Sequence, residues 1–490
     1  MSDYRRKYLK YKKKYLDVMK VYDHIIIGGG TAGSVVAARL SEMEGVEILL
    51  LEAGKNFEPD EFPDELVDVE SIGSMKYDWG YRSAPGYIEH AIQLPRAKVI
   101  GGCSAHNAAA AIRGTSENFE RWSQDVSGWE FADVLPYYKK LENCNFGVDQ
   151  WHGRSGPLPI RIDGKESPFS KSFIASGMML GYEYIEDINN GHQLGVGLVA
   201  MNVIDGERQN TAMVYLTKGV RKRKNLRILG LSEVEKVVVE EGGAVGVVLF
   251  NGSVFWARRE IVVCGGTFGS CEILKRSGIG PRKELEKSGI QVVVDSPVGS
   301  VLYDHPFYYN VYQLKKNVDL DEGVNGPFLW DGDIMIVAWS DQKTLTLGVA
   351  LTQPISRGSY SYGKIDLNFL FEEHDRKRMV EAVKLAREIV YKGALADLIE
   401  RELYPGEKVK SAEALEQAIM DDIDSFGHPV STVAMGTVLD EFCRVRGIKN
   451  LRVVDASVFP YPVSCPPNVT VIMVAEKISD HIKKSYYNSI

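Results

Sequence analysis

In the stretch from Arg96 to Gly114, RAKVIGGCSAHNAAAAIRG, a thiol (Cys103) and an imidazole (His106) stand beside Gly101 and Gly102 and ahead of a run of alanines. Glycine and alanine keep side-chain bulk off the backbone, so a large group can come close to it. An imidazole held there is both a nucleophile and a hydrogen-bonding group near neutral pH. A second constellation, Gly28-x-Gly30-x-x-Gly33, suits an anion. Its first glycine permits a tight turn, its second lets the backbone approach a pyrophosphate, and its third lets a helix pack closely on a strand. Glu52 follows about 20 residues later, where such a site places a carboxylate for ribose hydroxyls. The glycines alone do not separate NAD from FAD.

These residues need a strand, a turn, a helix and a second strand to hold them. The apolar run Tyr22 to Ile27 predicts a buried strand, Thr31 to Ser41 a helix, and Val46 to Leu51 a second strand that ends at Glu52. The free N–H groups and positive dipole end of that helix would face the anion. Residues 225–266 read as a strand meander with glycine turns, leading to a buried strand from Glu260 to Cys264. Residues 375–400 carry apolar side chains at helical spacing.

At 490 residues the chain is too long for one simple core, and two domains interleaved in sequence are expected. A formal charge of -8 argues against a main body that binds nucleic acid through a basic face. No apolar run approaches the roughly 20 residues of a transmembrane helix. The first 20 residues are different: eight Lys or Arg stand against Asp3 and Asp17, with Tyr8, Tyr11, Tyr15 and Val18 at helical spacing. This predicts a basic amphipathic leader, either solvated or set against an anionic surface. The six cysteines contain no CxxC pair, and neither they nor the histidines show metal-ligand spacing, so a reduced intracellular setting and no metal are expected.

Three further segments carry a resemblance. The stretch from Arg96 to Gly114, GGTFGSCEILKRSGIGP (Gly265 to Pro281) and the run from Gly427 to Ile482 are similar to the signatures of the glucose-methanol-choline (GMC) oxidoreductase family. With PVGSVLYDHP (Pro297 to Pro306) and the opening glycines, the likeness spans nearly all of residues 22–485. Cys271 stands where the second signature usually has proline, and His428-Pro-Val-Ser431-Thr432 replaces His-x-x-Gly-Thr, which puts the turn at Ser431 in question. The leader, separately, resembles the short Lys/Tyr leaders of proteins from large DNA viruses, which would imply host cytoplasm or virion.

The family resemblance implies an α/β fold: a Rossmann-like FAD-binding domain with an interleaved α+β substrate domain built on an antiparallel sheet. The expected division is a leader at 1–21, FAD-binding segments at 22–60, 92–160, 200–300 and 425–490, and substrate-domain segments at 61–91, 161–199 and 301–424. It implies FAD held by Gly28, Gly30, Thr31, Ala32, Gly33, Glu52, Ala53, Arg96, Val99, Gly101, Gly102, Cys103, His106, Asn107, Ala108, Ala109, Val234, Asp455, Ala456, Asn468 and Val469. His428 is the implied base, and Asn468 the second catalytic position, able to hydrogen-bond the substrate oxygen but not to take its proton. In choline-oxidase-like members a histidine placed as His106 is joined to the flavin 8α carbon; the other reading is an unlinked histidine beside the ring. Cys103 is expected to pack rather than react, and His305 to fix a loop.

The implied reaction is oxidation of a small primary alcohol, aromatic or allylic favoured, to the aldehyde by hydride transfer to flavin N5. Dioxygen, giving hydrogen peroxide, or another acceptor would take the electrons. Alternatives are a hydroxynitrile-lyase-like enzyme using flavin without turnover, a light-driven decarboxylase, or a non-enzymatic flavin-binding virion component; an oligomer is left open. Among Tyr308, Tyr309, Tyr312, Phe328, Trp330, Trp339, Phe369 and Phe371, core roles are expected to outnumber pocket roles, and no carboxylate is evident that would recognise a choline-like cation.

Overall fold

The computed structural model describes residues 21–162, 167–191, 194–316, 325–341 and 343–488; the basic leader and His192 lie outside them. β1 (Val21–Ile27) runs parallel to β2 (Ile48–Leu51) on one side and β3 (Val254–Val263) on the other, with Ile25 opposite both Leu49 and Ile261. Leu226–Leu229 extends this sheet beyond β2, and Leu451–Val453 pairs in parallel with β3. The hairpin Val234–Glu240 and Gly243–Leu249 adds antiparallel strands at the β3 edge, so the sheet has seven strands. The central strands are covered on both faces, which explains their unbroken apolar runs rather than an alternating pattern.

Helix α1 (Thr31–Leu40) leaves β1 through the glycine turn. A Cβ on Gly33 would lie 1.8 Å from the Gly28 carbonyl oxygen, so only glycine lets the helix seat this close to the turn. Helix α2 (Gly266–Arg276) leaves β3 in the same sense, and α3 (Asn468–Tyr487) packs beside α1. Glu476 on α3 is buried and holds the pair in register through Arg39 of α1 at 2.6 Å, Lys140 at 3.0 Å and the Tyr215 hydroxyl at 2.9 Å.

The second sheet has eight strands. Pro306–Leu314 is flanked by Thr344–Leu351 and Ile399–Tyr404, and its first residues also pair with Asp424–Ser425. The sheet continues through Ile334–Ser340, Pro327–Asp331 and Leu194–Leu198. These pairings are antiparallel; Tyr184–Ile185 joins Leu194–Leu198 in parallel. Helices Pro168–Met179 and Glu373–Tyr391 pack on the sheet. Side-chain alternation divides its aromatics. Tyr308, Tyr312, Phe328 and Trp330 are fully buried, with Tyr312 against Tyr391 of the long helix, whereas Phe307, Tyr309, Val337 and Trp339 line a cavity.

The fold is the expected one, a doubly covered Rossmann-like sheet beside an antiparallel one. The helix predicted over 375–400 is shorter than expected: it ends at Tyr391, and Ile399–Tyr404 is a strand. Gly393 lies so close to Ser176 that a Cβ would meet its hydroxyl at 2.2 Å, and strand pairing with Pro306–Leu314 captures the residues beyond. Among the described residues no helix is long and apolar enough to cross a membrane.

The chain also brings together three potential metal ligands that sequence spacing did not suggest: buried Glu142, Cys144 and His152. Arg113 bonds Glu142 Oε1, His152 Nδ1 lies 3.1 Å from the same oxygen, and His152 Nε2 lies 3.0 Å from Asp187. Burial opposes the charge on His152, but hydrogen bonds with Asp187, Cys144 and Glu142 outweigh it and raise the imidazole to about 10. Two cations therefore already neutralise the carboxylates, which makes this an ion-pair cluster. All six cysteines are free thiols.

Candidate active site

A cavity of about 1580 Å³ runs from the glycine turn between β1 and α1 to the aromatic face of the second sheet. Gly28, Gly30, Thr31, Ala32, Glu52 and Ala53 line its nucleotide end. Gly33 seats the helix instead, Gly101 backs onto Asn210, and Val469 is fully buried, so these three stand outside the cavity wall. Glu52 Oε2 accepts the Gly29 N–H and Oε1 the Gly54 N–H, both at 2.7 Å. The carboxylate therefore braces two turns while keeping further lone pairs for a hydroxyl; burial pushes its pKa up.

Helices α1 and α3 both point N-termini at this end, and neither has a side-chain cap or an acidic residue in its first turn. Two uncompensated positive helix ends suit a pyrophosphate. By contrast, the start of α2 is occupied: Asp455 accepts the N–H of Gly266 at 2.9 Å and the hydroxyl of Ser270 at 2.5 Å, and its other oxygen accepts from Ser457. Asp455 thus joins α2 to the turn at Ala456, which itself lines the cavity.

The central wall comes from the signature stretch. Its turn of 3₁₀ helix, Gly102–Ala105, lies against the glycine loop so tightly that a Cβ on Gly102 would approach the Gly30 Cα to 2.6 Å. Arg96, Val99, Cys103, His106, Asn107, Ala108 and Ala109 line the cavity, with Val234 across from them in the sheet. Asn107 Oδ1 accepts the Ala109 N–H at 3.0 Å, which leaves its amide N–H as donor. His106 is buried, and among the described residues its Nδ1 has no partner. The Cys103 thiol is not in an inert setting: burial would raise it, but Arg96 and a hydrogen bond with His106 outweigh that and bring it down to about 6.

His428 stands at the far end. Its Nδ1 lies 3.0 Å from Nδ1 of His305, with the two rings near perpendicular at 86°. Only one of those nitrogens can carry the shared proton. Asp304 holds the loop from behind: Oδ1 accepts the backbone N–H groups of His305 at 2.7 Å and His428 at 2.8 Å, and Oδ2 accepts the Ser425 hydroxyl at 2.6 Å. The Arg96 guanidinium donates to the Gly427 carbonyl at 2.7 Å. Burial, then the neighbouring His305 and Arg96, hold His428 well below the usual imidazole range; burial alone takes His305 down to about 4. Burial raises Asp304 to about 6, so it is ionised at neutral pH.

His305, expected only to fix a loop, is therefore the group in contact with His428, while Asn468 is hydrogen-bonded elsewhere. Asn468 Oδ1 accepts the Thr31 hydroxyl at 3.3 Å at the nucleotide end, and its buried Nδ2 has no partner among the described residues. The partnerless amide of Asn468, the partnerless nitrogen of His106, the open helix ends and the glycine cradle together fit a flavin dinucleotide.

Family models described as GMC oxidoreductase match residues 22–307 and 353–475. The chain is a GMC oxidoreductase. This GMC oxidoreductase is an enzyme, and its cofactor is FAD. It is 34% identical to an oxygen-dependent choline dehydrogenase of Rhizobium johnstonii, over 94% of this chain and 95% of the relative. In structure it is similar to a pyridoxine 4-oxidase from Mesorbium loti, with TM-score 0.88, 31% identity and coverage of 94% and 99% of the two chains. A variant formate oxidase of Aspergillus oryzae gives TM-score 0.87 at 25% identity, over 96% and 99%. Ser431, where the GMC signature carries glycine, adopts φ of +77°, a left-handed conformation that serine holds at a cost.

Proposed function

We propose that this GMC oxidoreductase oxidises a small primary alcohol to its aldehyde, aromatic or allylic alcohols favoured, with His428 as base and dioxygen as final acceptor. The observation that carries the reading is the contact between the two imidazoles. If Nδ1–H of His428 donates to Nδ1 of His305, the tautomer of His428 is set with its Nε2 lone pair free, on a residue that lines the cavity. A neutral imidazole is then ready to take the hydroxyl proton, and the low-dielectric surroundings keep it neutral until substrate arrives. FAD, when bound, would supply the two-electron acceptor for the hydride leaving the carbinol carbon, and dioxygen would take those electrons to give hydrogen peroxide. Asp304 holds the His428 backbone N–H and is itself held by the Ser425 hydroxyl, so the ring keeps its place as it gains charge. Asn468 offers its free amide N–H to an oxygen of cofactor or substrate.

The same reading divides the chain as its sequence suggests, with segments 22–60, 92–160, 200–300 and 425–490 holding FAD and the remaining segments after the leader roofing the substrate. It also joins His106 to the flavin 8α carbon: the imidazole nitrogen, without a partner among the described residues, would bond that carbon as the 8α methyl and the imidazole each lose a proton, and the two electrons left on the flavin would pass to dioxygen. Anaerobic mixing with benzyl or furfuryl alcohol is expected to bleach the yellow flavin band, and hydrogen peroxide should appear when air is admitted. A band that persists across a broad alcohol panel would refute alcohol oxidation. Acid precipitation should leave the colour in the protein pellet, and His106→Ala should release it; a colourless wild-type pellet would refute the tether.

A further inference from the structure

The signature turn carries a thiol that hydride transfer does not use. Gly102–Ala105 is a turn of 3₁₀ helix, and the His106 N–H closes it on the Cys103 carbonyl at 3.3 Å. At three residues per turn, the side chains of Cys103 and His106 stand one above the other. Both line the cavity. The turn is anchored from behind. Arg208 donates to the Ala105 carbonyl at 3.0 Å, and the Gly73 N–H donates to the His106 carbonyl at 3.0 Å. The Ser104 hydroxyl donates to the Gly101 carbonyl at 2.6 Å and accepts the Thr211 N–H at 3.0 Å. These anchors use the backbone of the turn and Ser104, so they fix where the thiol and the imidazole stand without engaging either.

Cys264, Cys271, Cys443 and Cys465 are buried, and burial holds them as neutral thiols. Cys103 is only half-buried. Burial works against its ionisation too, but the Arg96 charge, the His106 imidazole and a hydrogen bond from the Ala97 backbone outweigh it, so the group is a thiolate at neutral pH. Arg96 acts by charge alone, since its N–H groups donate to the carbonyls of Pro95 at 2.6 Å and Gly427 at 2.7 Å. His106 beside it is buried, and its Nδ1 has no partner among the described residues. An imidazole that forms a bond through one nitrogen must shed the proton on the other or remain a cation, and a buried cation is costly. A thiolate one turn away can take that proton.

We propose that Cys103 is the proton acceptor in the attachment of this enzyme to its own flavin: as one nitrogen of His106 bonds the 8α carbon, the proton on the other passes to Cys103 Sγ. The proposal rests on the His106 tether and is independent of which alcohol is oxidised. One N–C bond forms, and one 8α C–H and one imidazole N–H bond break. The methyl proton goes to water and the imidazole proton to the thiolate. The two electrons left behind go to dioxygen, which takes up two protons to become hydrogen peroxide. Cys103 then returns its proton to water and is not consumed.

Holoenzyme produced and purified without air should hold FAD untethered, because the two electrons have no acceptor. Admitting air starts the attachment, and flavin retained in the acid-precipitated pellet measures it. Cys103→Ser keeps the size of the side chain without its ionisation; it should bind FAD and tether it about 100-fold more slowly, the scale of one general base. The wild-type rate should fall about tenfold from pH 7 to pH 5 as the thiolate is protonated below about 6, and Cys103→Ser should lose that dependence. A Cys103 that only packs would leave the profile in place. Equal tethering rates in wild type and Cys103→Ser overturn the proposal and leave the tether standing. If Cys103→Ser does not retain FAD, the wild-type profile decides, and a rate that stays level from pH 7 to pH 5 overturns the proposal. A wild-type pellet that stays colourless after air is admitted refutes the tether and the proposal with it.

Discussion

The two ends of the cavity are built by opposite means. At the nucleotide end the backbone is the binding surface: glycine turns, two uncapped helix starts, and a carboxylate that braces turns. At the His428 end side chains do the chemistry and the backbone is what must be held, by Asp304, Ser425 and Arg96. A backbone site needs residues that are small and close together in sequence, whereas a side-chain site recruits whatever residues the fold brings within hydrogen-bond reach. The first fails when bulk is added; the second fails when a functional group is removed.

That contrast predicts different kinds of damage. The largest effect belongs to His428→Ala, expected to retain the flavin spectrum and to lower anaerobic reduction by alcohol about 1000-fold; near-normal reduction would show that another base operates. The wild-type rate should also stay level from alkaline pH down through 6.5 and fall only well below it, since burial, His305 and Arg96 disfavour protonation of His428. In the unfolded chain that histidine protonates near its ordinary value, so the same group makes the native state lose stability as pH falls through about 6.5. A rate inflection at or above 6.5 would contradict a buried neutral base.

At the other end, Gly33→Ala adds a carbon where the Gly28 carbonyl already sits, and should cost about 2 kcal/mol of stability together with bound FAD. Full flavin content in purified Gly33→Ala would show that the turn has slack. His305→Ala should slow flavin reduction about tenfold, the worth of one orienting hydrogen bond, and move the acid limb of the pH profile. An unshifted profile would leave His305 with only its loop-fixing role. The smallest change is a gain: Ser431→Gly relieves a positive φ and deletes a buried hydroxyl that has no partner among the described residues, raising stability by about 1 kcal/mol in denaturant melts at constant m-value.

Much of the fold was legible for a local reason. Strand, glycine turn, helix and strand follow one another within about 30 residues, the length of one such unit, so their pattern lies in one window of sequence. The second sheet was less so. Its antiparallel nature came from resemblance, while its cavity-facing residues depended on register: Tyr309 and Trp339 reach the cavity, whereas Tyr308 and Trp330 are core. Phe307 and Asp424, which meet across strands, gave no signal in either segment alone. Cys103 read as packing because nothing nearby in sequence announced the influence of Arg96, seven positions away, on its thiol.

The amino-acid sequence by itself determined the glycine turn of the nucleotide end, because steric permission for a close-packed turn is a property of residue type and spacing within a short window. Only the tertiary structure decided which groups stand beside His428, because His305 lies 123 positions away and Asp304 on the same distant loop. A hydrogen bond depends on distance and direction to within fractions of an ångström, and those are fixed by the packing of the two sheets rather than by either segment on its own.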